Sequence, residues 1–282
     1  MRILLLATLL LSWLGQAVAQ EPVELGTICG RLQVAGVEQY SGVVSLWNAD
    51  QIPMPDPRRY ILIPSQAGPI EGDGSFLLRA PPGRYYLGAV LRQTPGPQLG
   101  PPRAGDQVFM TPDADGEALV VELTAAGRVD VGRQGGGWVY QGFSEEAVTG
   151  ISGQVVAADG QPLKDMLVFA FLDPEMSGQP LAVSSRTGAD GNYLLRLPGG
   201  GEVYLRVRDN YGGGAPSAGG VMGVYGNAVP RPVAVEGGKV LTRIDISTLT
   251  IPALRTGEKQ PTGGGKGGDG PPMPPGPSGK NP

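Results

Sequence analysis

Asp113, Asp115 and Glu117 alternate within "TPDADGE", and three hard oxygen donors at that spacing are the beginning of a calcium loop. The further ligands of a complete loop are missing, so a solvated acidic turn competes with metal binding and no metal ligand is assigned. Asp73 and Asp190 raise a second chemistry, because two carboxyl groups within about 10 Å of each other can hydrolyse a glycosidic bond. Each opens its own Asp-Gly dipeptide in an equivalent stretch of sequence, and a turn role is the expectation for both. The chain contains no histidine, which removes Ser-His and Cys-His dyads, His-ligated zinc and imidazole acid-base work. Its single cysteine removes an internal disulfide and any thiolate metal cluster. No catalytic residue and no cofactor is expected, and the chain reads as non-enzymatic.

Two kinds of side chain remain as contact candidates. Cys29 alternates with Ile28 and Gly30, which turns it toward the outer face of a strand, where a lone thiol could bridge to another chain. The competing reading is a small residue covered by a neighbouring loop, as Ser152 would be at the equivalent place in "ISGQVVA". Trp138 and Tyr140 stand in the Gly-rich "RQGGGWVYQGFSEEA", while Tyr211 and Tyr225 flank the loop "NYGGGAPSAGGVMGVYG". Rings on loops could stack on sugar faces or anchor a partner protein, or pack against their own module.

The elements that must position these residues are written twice. "DGSFLLRAPPGRYYLGAV" from Asp73 to Val90 has a near copy, "DGNYLLRLPGGGEVYLRV", from Asp190 to Val207. Each begins with a turn dipeptide, and Phe76, Leu78 and Ala80, like Tyr193, Leu195 and Leu197, alternate with polar residues in the same phase. A second turn, "PPG" or "PGGG", leads to a strand with Tyr85, Leu87 and Ala89, or Val203, Leu205 and Val207, on one side. Both copies read as β-hairpins with one apolar face. "ICGRLQV" parallels "ISGQVVA" upstream, and "GEALVVELTAAG" parallels "GGKVLTRIDIST" downstream, so each repeat is about a hundred residues, the size of one β-sandwich domain.

"ISGQVVAADGQPLKDMLVFAF" followed by "SRTGADGNYLLRLPGGGEVYLRV" resembles the carboxypeptidase regulatory-like domain, on Gly153, Val155, Gly160, Pro162, Leu163, Thr187, Asp190, Gly191, Tyr193 and Leu195. The first repeat matches at Gly30, Asp73, Gly74, Phe76 and Leu78, with "GVEQYSG" in place of the G-x-P-L turn and six more residues between Gly30 and Asp73 than between Gly153 and Asp190. The resemblance implies two tandem all-β sandwiches, transthyretin-like or immunoglobulin-like, that serve as accessory modules without active sites. The expected organisation is sandwich one over residues 24–128, a Gly-rich linker over 129–147, and sandwich two over 148–250.

The ends carry an address and a spacer. Arg2, the apolar run from Ile3 to Leu14 and Ala17-Val18-Ala19 read as a secretory signal peptide over residues 1–19, too short to span a membrane. Residues 251–282, ending "TGGGKGGDGPPMPPGPSGKNP", are too poor in apolar side chains to fold and read as a disordered tail. A formal charge of −4 with scattered Lys and Arg argues against nucleic acid. The expected partner is an exported or cell-surface protein, or a polysaccharide, met in the periplasm, at the cell surface or outside the cell.

Overall fold

The structure, a computed structural model, describes residues 23–93, 99–110, 118–144, 148–212, 214 and 217–252. The proposed signal peptide, the acidic turn at 111–117 and the tail beyond residue 252 lie outside the described residues. What is described is all-β: strands and turns with no helix.

Nine strands come from the first repeat: β1 (Gly26–Leu32), β2 (Gly42–Asn48), β3 (Gln66–Pro69), β4 (Ser75–Ala80), β5 (Gly83–Leu91), β6 (Gln107–Met110), β7 (Val120–Leu123), β8 (Arg128–Gln134) and β9 (Trp138–Val139). Their order is β4-β1-β8 in one layer and β3-β2-β5-β6-β9 in the other, with β7 beside β5. The second repeat gives β10 (Thr149–Val156), β11 (Leu167–Phe171), β12 (Ala182–Val183), β13 (Asn192–Leu197), β14 (Gly201–Arg208), β15 (Val221–Val224), β16 (Val233–Val235), β17 (Val240–Leu241) and β18 (Ile246–Thr250). The ladders repeat strand for strand. β4 pairs β1 as β13 pairs β10, β5 pairs β2 as β14 pairs β11, and β7 returns to β5 as β16 returns to β14.

The period-two pattern decides what is inside. Ile28, Phe76, Leu78, Tyr85, Leu87 and Leu123 meet in the first core, and Ile151, Tyr193, Leu195, Leu205, Val207 and Ile246 meet in the second. Asp73 and Asp190 do the same local work, as expected of turn residues. Asp73 Oδ1 accepts from the Ser75 amide at 2.9 Å, and Asp190 Oδ1 accepts from the Asn192 amide at 3.0 Å.

The Gly-rich stretch expected to be a linker is the closing strand of the first sandwich. β8 lies parallel to β1, a bulge follows where Gly132 sits at φ +69°, and the chain then crosses to the other layer, where β9 pairs antiparallel to β6. The second sandwich closes in the same manner, with β17 parallel to β10 and β18 reaching both β10 and β15. A strand that changes sheets must bend, and a low-side-chain segment bends at least cost. β8, from its second residue, and β9 thus fall in the stretch 129–147 expected to be a linker and pair with β1 and β6, while "GEALVVELTAAG" holds β7, which pairs β5 as β16 pairs β14. Gly30 and Gly153 recur because the closing strand crosses over them: a Cβ on Gly153 would stand 2.1 Å from the Ile244 carbonyl oxygen, and one on Gly30 would meet Val131 at 2.7 Å.

The six extra residues before Asp73 also have a place. The segment around residues 61–63 leaves the first sandwich and adds to β12 at the edge of the second. Leu62 bridges Ala182 antiparallel, the Val183 amide donates to the Ile61 carbonyl at 3.0 Å, and the Ile63 amide donates to the Leu181 carbonyl at 3.2 Å. Trp47 and Leu62 are buried with the second core, and Trp47 Nε1 donates to the Leu62 carbonyl at 3.1 Å. This cover satisfies an open strand edge. Ser144 is tied to both repeats as well: its amide donates to the Arg58 carbonyl at 2.7 Å, and Arg196 Nη1 donates to its carbonyl at 2.9 Å.

Candidate functional site

The aromatic residues marked by the sequence do not form an open platform. Tyr140 is 3% exposed, its amide donates to the Asp106 carbonyl at 2.7 Å, and burial pushes its phenol up to about 12. Its ring meets Phe143 edge-on at 6.4 Å. Trp138 is half-buried under the Arg58 guanidinium, 4.3 Å from the ring centroid. Tyr211 packs at 6.0 Å against Phe169, and Tyr225 lies against the second core; both are half-buried. The closing strand, the second core and the seam between the sandwiches take up these rings, Tyr140 fully and Trp138, Tyr211 and Tyr225 in part. Cys29 lies under β8 at 6% exposure, and its thiol points to the Val129 carbonyl at 3.7 Å. Among the described residues, no three His, Cys, Asp or Glu side chains gather to hold a metal, and no helix is long and apolar enough to cross a membrane.

Two cationic groups lie buried outside the hydrophobic cores. Arg92 and Asp106 form an ion pair of 2.6 Å with side chains 2% and 1% exposed. It is well satisfied: Arg92 also donates to the Gly100 and Pro101 carbonyls, while Asp106 accepts from the Arg103 and Gln93 amides. This pair locks the loop that faces Tyr211 and has little capacity left for a ligand.

A second cationic group is built differently. Alternation along β14 sends Val203, Leu205 and Val207 into the core and Tyr204, Arg206 and Arg208 to the opposite face. In a lone sandwich that face would meet water. Here Ile61 and Ile63 from the first sandwich, with Met176, pack on Leu167, Phe169 and Phe171 of β11, so the outer face becomes a third buried cluster. Register places Arg206 beside Phe169 and Arg208 beside Leu167.

Arg208 is 6% exposed, and its Nη1 donates to the Gly214 carbonyl at 3.1 Å. Among the described residues, its buried Nε and Nη2 have no hydrogen-bond acceptor, and neither has Nε of Arg206. The Arg206 guanidinium lies 5.0 Å over the Phe171 ring. Burial, and then the adjacent Arg208 charge, pull the Arg206 guanidinium below its ordinary value, with Asp173 opposing. Both arginines line a cavity of about 250 Å³. Its walls include Phe169, Phe171, Met176, Pro180 and Tyr211, and the exposed glycines Gly178, Gly212 and Gly214 border it. Reading "YLRVR" alone gives a solvated strand face, since the cover comes from the other repeat. The available signal was "LVFAF", a strand apolar on both sides and hence covered on both.

No protein-family model and no curated protein sequence matches the chain. Among solved structures it is similar to the Bacillus anthracis TIE protein at 11% identity, covering 80% of this chain and 34% of that one, with a TM-score of 0.23. It is similar to a Streptococcal ancillary pilin at 13% identity, covering 80% and 63%, with a TM-score of 0.23. A shaft pilin from Lactobacillus rhamnosus GG aligns at 12% identity over 82% of this chain and 99% of that one, with a TM-score of 0.22. The chain thus spans about a third of the first of these and just under two thirds of the second.

Proposed function

We propose that this is an exported, non-enzymatic structural and recognition protein, whose two accessory sandwiches of carboxypeptidase regulatory-like type mediate assembly with another exported or cell-surface protein. The first module runs through β9 and the second begins at β10. The observation that carries the reading is the seam: Leu62 enters the second core, and residues 61–63 extend its edge strand. A Gly-rich linker would leave two modules free to reorient, whereas a shared core and a continued ladder hold their binding surfaces at a fixed spacing. That is a property of parts in an assembly. Exposed apolar side chains such as Leu172 at 68% and Val229 at 71% leave surface for such contacts.

The test places a photo-crosslinking amino acid at Leu172, Val229 and other exposed positions in the producing cell. A discrete adduct with an exported or surface protein is expected at a subset of positions. Retention of the chain inside the cell, or no adduct at any exposed position, overturns the reading.

A further inference from the structure

We propose that the cavity between Arg206 and Arg208 binds a carboxylate attached to an apolar or aromatic body. The inference is independent of the assembly role, since it rests on the cavity alone.

The polar half of the argument is the Arg208 fork. In a guanidinium, Nε and Nη2 present two parallel N–H groups on one edge, the geometry that grips both oxygens of a carboxylate. In Arg208 that edge is the one without acceptors, while the remaining nitrogen Nη1 is pinned by Gly214. The side chain is therefore held in place with its bidentate edge unspent. A buried guanidinium without partners is costly to keep, and an anion supplied from outside offsets that cost. Arg206, two residues along the same face, adds a second positive charge and another unspent Nε–H.

The apolar half selects the rest of the ligand. Phe169, Phe171, Met176 and Pro180 offer no hydrogen bonds to the outer oxygens of a phosphate or sulfate, which would lose water without replacement. They suit a hydrocarbon or ring. An apolar cavity of about 150 Å³ holds a benzene ring, so 250 Å³ accommodates a ring with a short carboxylate-bearing arm. The same chemistry could arrive as a free small acid or as the C-terminal carboxylate of a chain ending in an aromatic residue.

The experiment is calorimetric titration of the full chain with five probes: 3-phenylpropionate, its neutral amide, inorganic phosphate, and a tripeptide ending in Phe as free acid and as amide. We expect 3-phenylpropionate to bind at about millimolar Kd or better, and the neutral amide about 10- to 100-fold more weakly. Arg208→Gln should abolish that difference. Tighter binding of the free-acid peptide than of 3-phenylpropionate assigns a chain terminus as the source, and the reverse assigns a free acid. Equal binding of acid and amide, phosphate binding as tightly as 3-phenylpropionate, or no binding of either acid overturns the proposal. Should Arg208→Gln fail to fold by circular dichroism, Arg206→Gln at the half-buried neighbour reads the same charge dependence, and an unchanged acid-to-amide ratio there overturns it.

Discussion

Leu62→Ala separates one cooperative body from two sandwiches that merely touch. Leu62 is 3% exposed and belongs to the second core although it is covalently part of the first repeat. Truncation removes three carbons, worth about 0.8 kcal/mol each in transfer, and leaves a cavity whose walls are held by strands on both sides. A loss of about 3 kcal/mol follows. At about 2–4 °C per kcal/mol for a body of this size, the midpoint should fall by about 6–12 °C. Differential scanning calorimetry of the full chain is the assay. The wild type should melt in a single transition, and Leu62→Ala should move that transition as a whole, with Leu195→Ala, deep in the second core, as the comparison. Two resolved transitions in the wild type, or a Leu62→Ala shift below about 1 kcal/mol, would refute the reasoning that the cores are joined.

Asp106→Ala should cost about 3–5 kcal/mol in urea unfolding, because it strands the buried Arg92 charge, and adding Arg92→Met should recover much of the loss. Arg208→Met should raise the thermal midpoint, since it removes a buried charge with two unpaired N–H groups; a lowered midpoint would mean that the guanidinium is satisfied. Tyr140 gives an alkaline signature. Its folded value, about 12, exceeds the ordinary 10, so its contribution to stability is fully present below pH 10 and is lost as pH rises toward 12. Tyr140→Phe should flatten the fall of the midpoint over that window, and an unchanged slope would count against burial of the ring.

The fold was legible where side chains alternate and turns need particular residues. Phe76 with Leu78, and Tyr193 with Leu195, announced both hairpins, and Asp73-Gly74 and Asp190-Gly191 announced their turns. "RQGGGW" misled, because glycine content signals low stiffness while the ladders that bind β8 and β9 are made by backbone groups that composition does not reveal. A trace was present: Val129 and Val131 alternate with Arg128 and Asp130 as a strand should. The seam was harder to read. Its residues are apolar on both faces of β2 and β11, yet which neighbour covers the second face is a tertiary fact. The arginine cavity follows from that fact, so "YLRVR" could suggest only half of it.

The closing strands also bear on when the protein can fold. Thr27 pairs with Arg128, and Gly150 pairs with Val240, so neither sandwich can shut until nearly all of its sequence exists. Residues 61–63 must wait longer still for residues 181–183. Pairings this distant slow folding toward milliseconds to seconds. During that interval β12 and the face carrying Arg206 and Arg208 stand open, and the nascent chain is at its most vulnerable to pairing with a stranger.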